Sequence, residues 1–283
     1  MSNRAGGIVV RGSRRLIAAV VVLGATLVLG ACSSNEDAEI AYEERPVEQI
    51  YTKALDFLNA GKFRQAAAEF DEVERQHPYS QWARRSMLMA SYCYYETNDY
   101  DSAILAAQRF LALHPGNKDA AYAYYLMGIS FYEQISDVGR DQKMTQNALA
   151  TLAEIVRRFP TTEYARDARL KIDLTIDHLA GKEMEIGRYY LNQHSYVAAV
   201  NRFRVVIVNY QTTTHVPEAL HRLTEAYLSL GIVTEAQTSA AILGYNFPGS
   251  SWYQDSYDLL AGNELMPDEN QDSWISKAWN SVF

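Results

Sequence analysis

The feature that most constrains this chain is a register of small residues, aromatics and prolines that returns at intervals of about 34 residues. Counting from residue 47, Ala54 stands at position 8, Phe57 at 11, Ala66 at 20, Phe70 at 24 and Pro78 at 32. Setting Pro115 at position 32 places Ser91, Tyr94, Ala103 and Ala107 in the same slots, and Pro248 does so for Thr224, Tyr227, Ala236 and Ala240. A further unit holds Gly187, Tyr190, Ala199 and Phe203 and ends at Gln211. Each slot has a mechanical meaning. Small residues at 8 and 20 let two antiparallel helices approach closely, the residues at 11 and 24 fill the space beside them, and proline at 32 stops the second helix.

The third unit is split between two frames. Gly128 and Phe131 start it at 121, whereas Ala148, Leu152 and Pro160 imply 129, so eight residues are inserted between its helices. The polar segment Asp137 to Gln146, with Gly139, belongs in that loop. A separate helix, about Glu163 to Leu179, is expected before the fourth unit and breaks the spacing. The fold class predicted is all-α, a superhelical array of about five tetratricopeptide helix pairs with a concave face. The alternative is an unrelated helical bundle.

The N-terminus follows a different logic. Arg4, Arg11, Arg14 and Arg15 precede an apolar run from Leu16 to Leu29, 14 residues long. A spanning helix takes about 20 residues, so this run reads as an export signal. It ends in Leu29-Gly30-Ala31-Cys32, which resembles the lipobox of bacterial lipoproteins, where the cysteine is lipidated and becomes the mature N-terminus. The alternative is a thiol beside an ordinary signal peptide. By the same resemblance, Ser33 rather than Asp after the cysteine points to the outer membrane. Several acyl chains on one residue make a stable anchor where one would not. Cys93, in the apolar run Met87 to Tyr95, is expected to be a buried free thiol.

The predicted organisation is a signal peptide at 1–31, a lipidated acidic tether at 32–46, repeats one and two at 47–120, repeat three with its loop and extra helix at 121–180, repeats four and five at 181–260, and a tail at 261–283. With the four leader arginines set aside, 22 basic side chains face 34 acidic ones, a balance of -12. A body so acidic is a poor polyanion binder, and no nucleic-acid partner is expected.

An outer-membrane lipobox followed by five such repeats, with an insertion in the third, resembles the BamD (ComL) family of outer-membrane-protein assembly lipoproteins. Local stretches agree: Pro78-Tyr79-Ser80 with Trp82, Arg157-Arg158-Phe159-Pro160, and Tyr196-Val197-Ala198-Ala199-Val200-Asn201-Arg202. The tail beyond Leu260 is a departure. The resemblance implies a role in the complex that folds and inserts β-barrel proteins. Its partners would be the barrel-forming BamA-type subunit, accessory lipoproteins and unfolded outer-membrane β-barrel proteins, with the membrane reached through the lipid on Cys32. The rival is another repeat lipoprotein of the envelope, a pilus-assembly pilotin or a peptidoglycan-linked adaptor.

Positions 2, 5, 9 and 12 lie on the face of each first helix that lines the groove. In the first three repeats that face carries Tyr51, Arg85, Tyr92, Tyr95, Tyr122, Tyr125 and Tyr132. Tyrosine offers large contact area at low rotamer cost and a polar tip, which suits strands with alternating aromatics such as those of outer-membrane barrels. Arg85 is available for a terminal carboxylate. The bland alternative is that these rings fill a narrow superhelix. The same positions in repeats four and five read Gly181, Met184, Arg188, Leu191 and Glu218, His221, Glu225, Leu228, which suggests a different partner.

By resemblance the C-terminal half contacts the barrel-forming subunit, and Arg202 is the expected charge-assisted contact, unless it is merely solvated. In the tail, Trp274, Ile275, Ala278, Trp279 and Val282 recur at helical spacing. Trp274 and Trp279 are expected either to dock a partner or membrane surface, or to pack back on the last repeat. No phosphate-binding glycine loop, nucleophile elbow or His-Glu-x-x-His pair is present, so no enzyme is expected. His215 and His221 flank Glu218 at a spacing that spreads them around a helix, which argues against a metal site. No cofactor is expected beyond the covalent lipid.

Overall fold

The computed structural model describes residues 44–281. Cys32, the export signal and most of the acidic tether lie outside the described residues. The chain divides at Arg45 and Pro46, and the body from Pro46 is built from helices alone among the described residues.

The first two units are α1 (Val47–Asn59) with α2 (Phe63–Gln76), and α3 (Gln81–Glu96) with α4 (Tyr100–Leu113). The third is α5 (Ala120–Glu133) with α6 (Lys143–Arg158), joined by the expected insertion. Next come α7 (Glu163–Asn192), α8 (Tyr196–Asn209), α9 (Val216–Ser229) and α10 (Val233–Asn246), and the chain closes with α11 (Ser251–Ala261) and α12 (Trp274–Asn280). From α1 to α11 each helix packs on the next in sequence, and the first helix of one unit also touches the first helix of the following one in α1 with α3, α3 with α5 and α5 with α7.

The slots read from the sequence are where the helices meet. Ala54, Ser91 and Thr224 at position 8, and Ala66, Ala103, Ala148, Ala199 and Ala236 at position 20, are fully buried. Positions 8 and 24 trade volume across the pair. Glycine at 8 faces a large residue at 24, as in Gly128 with Leu152 and Gly187 with Phe203, and a Cβ on Gly187 would fall 2.4 Å from the Phe203 ring. Ser91 and Thr224 at position 8 are matched by Ala107 and Ala240 at position 24, all fully buried. Unit one departs from the trade, with Ala54 at 8 and Phe70 at 24 both fully buried, so close packing is met there with a wider gap between the helices.

A second regularity escaped the sequence reading. The turn between the two helices of a unit places position 15 in the left-handed region: Gly61 at φ 69°, Asn98 at 59°, His194 at 56° and Gly231 at 73°. This is the residue just past a helix end, where that conformation satisfies the last carbonyls. Tyr94 O and Tyr190 O, for example, accept from Asp99 N and Ser195 N at 2.9 Å.

The expected break before the fourth unit is corrected. The stretch 163–179 and the first helix of unit four are one helix of 30 residues, so a boundary at 180 falls inside α7. Thr162 caps its start, accepting from Ala165 N at 3.2 Å, and the sequence from Glu163 to Asn192 contains no proline to stop it. The first half of α7 packs with Leu152 and Ile155 of α6 through Ala165 and Ala168. Its second half joins a larger core of Phe203, Ile207, Leu220 and Leu223 through Ala180 and Met184. No described helix is long and apolar enough to cross a membrane.

Candidate peptide-binding cleft

The starts of α3, α5 and α7 stand side by side because their first-helix faces pack in series. Between them opens a cleft of about 600 Å³, lined by Trp82, Arg84, Arg85 and Leu88 of α3, Lys118, Asp119 and Tyr122 at the start of α5, and Tyr164 of α7. Ser80 fixes the entry of α3 by accepting from Ala83 N at 3.0 Å, which sets Trp82 in the first turn. Arg84 and Arg85 are exposed and have no ion-pair partner among the described residues. The cleft therefore joins aromatic walls to guanidinium groups available for an anion.

The predicted tyrosines divide into groups. Arg85 and Tyr122 line the cleft. Tyr51 does not: it is 3% exposed, wedged 4.5 Å from the Trp82 ring and 5.7 Å from Phe70. Its hydroxyl has no hydrogen-bond partner among the described residues. Burial raises that hydroxyl's pKa, against the pull of nearby Arg85. Tyr122 leans on Tyr164 at 5.5 Å, and Tyr125 does so at 5.1 Å while donating to Asp167 Oδ2 at 2.8 Å. Tyr92 packs edge-on to Phe63 at 6.1 Å, Tyr95 lies 5.9 Å from Tyr100, and Lys171 sits 5.5 Å over Tyr132. These last three continue the aromatic face without lining the cleft. Burial, more than any neighbour, raises the hydroxyls of Tyr92, Tyr95, Tyr122 and Tyr125, so they act as neutral hydrogen-bonding groups.

Trp82 and Tyr164 were missed by the groove reading, and for one reason. Both open a helix just ahead of the counted face, and α7 was not recognised as a first helix. The signal was present: Ser80-Gln81-Trp82-Ala83 and Thr162-Glu163-Tyr164-Ala165 share a cap, an aromatic and a small residue.

With this geometry in view, the comparisons with known proteins give a family. A family model described as outer membrane lipoprotein (YfiO) matches residues 43–242 of the 283. The chain belongs to this outer membrane lipoprotein family. The outer membrane protein assembly factor BamD of Caulobacter vibrioides is 52% identical over 254 residues, covering 90% of this chain and 83% of that one. BamD of Rickettsia prowazekii is 43% identical over 87% of this chain and 96% of its own. BamD of Neisseria meningitidis is 36% identical over 79% and 89%. Among solved structures, the TPR2AB domain of yeast Sti1 in complex with a pHSP90 chain is similar at a TM-score of 0.38 and 11% identity, covering 77% of this chain and 84% of that one.

The match to the YfiO model ends within α10, and the C-terminal half of this member of the YfiO family differs in kind from its cleft. Gly181, Met184 and Leu191, expected to face a groove, are buried. Arg188 donates to Glu218 at 2.8 Å, and Arg222 reaches Glu218 and Glu225 at 3.6 and 2.9 Å. Arg202 donates to Glu183 at 3.2 Å, so its guanidinium is shared with its own unit. His215 and His221 part company. His215 lies 3.6 Å from Asp177, whereas His221 is buried, with Nδ1 2.9 Å from Ser256 Oγ. Among the described residues no cluster of three His, Cys, Asp or Glu could hold a metal ion.

Of the two arrangements expected for the tail tryptophans, the described residues show them packed back on the chain. Trp279 is 6% exposed and meets Phe247 edge-on at 6.1 Å. Trp274 donates through Nε1 to the Tyr227 hydroxyl at 2.8 Å and lies under the Arg204 guanidinium at 4.6 Å. The apolar stripe of α12 packs on α8 and α10, because Ile275 and Trp279 find an open end of the array there. Cys93 is a free buried thiol, and burial pushes its pKa up to about 12.

Proposed function

We propose that this lipoprotein is a non-enzymatic scaffold of the outer-membrane β-barrel assembly machinery that receives the terminal strand of an unfolded barrel protein in the cleft between α3, α5 and α7. The observation that carries the reading is the pairing of Trp82, Tyr122 and Tyr164 with Arg84 and Arg85 in one opening. A strand with alternating aromatics and a free carboxylate at its end matches such a site in both shape and charge. The assembly role follows from membership of the family and its closeness to the BamD proteins. The anchor is the lipid on Cys32, the working side is the periplasmic face, and no cofactor beyond that lipid takes part.

The barrel-forming subunit is assigned to the C-terminal half, with Arg202 as a contact that would exchange Glu183 for a partner's carboxylate. Recovery of that subunit with the tagged lipoprotein from mildly solubilised envelopes is expected, and Arg202→Glu should reduce it. For the cleft, a fluorescent terminal-strand peptide should bind the purified chain. Amidating its carboxylate, or changing Tyr122 to Ala, should weaken binding by about tenfold. Equal affinity for the acid and the amide would remove Arg84 and Arg85 from the site.

A further inference from the structure

The first half of α7 begins as α3 does and then lacks what covers α3. Thr162 caps it as Ser80 caps α3, and Tyr164, Ala165 and Ala168 fall where Trp82, Ala83 and Ser86 fall. Both sets of small residues are fully buried against the preceding unit. Once seated, α1, α3 and α5 are each covered in turn by the start of the next first helix, and the cover follows a rule. Its opening aromatic lies on position 5 of the earlier helix, as Trp82 on Tyr51 at 4.5 Å and Tyr164 on Tyr125 at 5.1 Å. The residue three further along reaches the same row, as Asp167 does in accepting from Tyr125.

On α7 the corresponding row is Leu170 and Leu174, one turn apart. They are 66% and 59% exposed, whereas Leu88 and Ile129 in the same row of α3 and α5 are 6% and 5% exposed. The cause is topological. Because α7 runs straight on into the fourth unit, no opening helix follows on this face. The turn before α9 touches α7 near Asp177, which accepts from Thr214 N and Oγ1 at 3.0 and 2.8 Å, and so borders the face at its C-terminal end. Arg166, a turn before Leu170, is exposed and pairs with no carboxylate among the described residues.

We propose that Leu170 and Leu174 are the docking face for the opening turn of a helix from a partner protein, which continues the stacking that the chain itself abandons at α7. The internal rule specifies the partner's chemistry. It carries an aromatic residue to cover Leu170 and, three positions later, an apolar residue, since two leucines offer no hydrogen bond of the kind Tyr125 makes. An acidic residue beside the aromatic would meet Arg166. This face lies apart from the cleft, whose α7 contribution is Tyr164.

The test uses the full-length lipoprotein in detergent and a fluorescein-labelled, helix-stapled peptide with the sequence 80–94 carrying Arg85→Leu, which has the required aromatic and apolar pair. Saturable binding is expected by anisotropy. Leu170→Asp in the protein, or Trp82→Ala in the peptide, should weaken it by at least about tenfold, while Tyr122→Ala in the protein should leave it unchanged. Absence of saturable binding, survival of binding in Leu170→Asp, or loss in Tyr122→Ala overturns the proposal. In envelopes, a photocrosslinker at Leu174 should label a partner segment with the aromatic-x-x-apolar pattern. Labelling confined to lipid or to a second copy of this chain overturns it as well.

Discussion

The two halves of this molecule use one repeat signature to opposite ends. In the first three units the slots at 8, 20 and 24 are filled, yet the buried cores stay small and separate, and aromatic side chains remain half-exposed along the face of the first helices. From Ala180 onward a single core runs to Trp279, the corresponding face is closed by buried side chains and ion pairs, and α11 and α12 seal the end. The signature therefore specifies how helices pair, while positions outside it decide whether a face receives a ligand or is consumed by the fold. Substitutions in the cleft should cost binding and little stability, and substitutions in the second half the reverse.

The largest expected effect tests the seal. Trp279→Ala removes a ring that is 6% exposed and should destabilise the chain by about 3 kcal/mol, read by urea unfolding with far-ultraviolet circular dichroism. Tyr122→Ala, at the rim of the cleft, should cost about half of that and abolish most terminal-strand peptide binding. If Trp279→Ala is tolerated, α12 is an appendage and the contrast between the halves fails at its outer end.

The next effect separates two glycines in the same slot. Gly187→Ala would put a Cβ 2.4 Å from the Phe203 ring, and 2.8 Å from two more of its atoms. Gly128→Ala would meet a terminal methyl of Leu152 at 3.0 Å, which a small rotation relieves. Overpacking against a ring held on all sides should cost about 2 kcal/mol, whereas the Gly128 change should be near neutral because alanine also favours the helix. Equal losses would show that the first half is packed as rigidly as the second.

How much of this was legible in the sequence follows the same division. The slots were readable because close helix packing admits only certain volumes, and Ala66, Ala148 and Ala199 are buried as that requirement demands. The face of the first helices was read only in part. Periodicity places Tyr51 and Tyr122 on one face, but Trp82 covers Tyr51 and leaves Tyr122 open, and which ring is covered depends on the neighbouring unit. The tail shows the same limit. An apolar stripe with Trp274 and Trp279 looks alike whether it awaits a partner or meets Phe247 and Tyr227 of its own chain. Continuity of α7 is not legible in the spacing, because a change of frame looks the same whether the chain breaks there or a helix without proline carries two frames.

A pH dependence should appear in the second half. Burial, then the neighbouring Arg222 charge, holds the His221 pKa below its ordinary 6.5, against the opposing pull of Glu225, Asp255 and Glu218. The folded state keeps this imidazole neutral while the unfolded chain takes up a proton near 6.5, so the unfolded state binds more protons in that window. Its contribution is fully present above 6.5 and is lost as pH falls toward the folded value. The melting temperature should therefore drop as pH is lowered from about 7 to about 5, and His221→Gln, which can still meet Ser256, should flatten that slope. An unchanged slope would assign the acid sensitivity to other groups.

The smallest effect concerns the turns. Position 15 is left-handed in four units, and two of the four residues there are not glycine: Asn98, which tolerates the conformation, and His194, which carries a branched ring into it. His194 regains something locally, since Nδ1 lies 3.0 Å from the Tyr196 hydroxyl and the two rings meet edge-on at 5.9 Å, but both groups are at the surface. Relief of the backbone should outweigh that contact, so His194→Gly should stabilise the chain by about 0.5 kcal/mol and Gly231→Ala should destabilise it by about 1 kcal/mol. Thermal melts of the pair decide the point. If His194→Gly is destabilising, the Tyr196 contact holds the start of α8 more firmly than the backbone strain opposes it. The second half would then depend on a side-chain contact in the turn where units one and five rely on glycine.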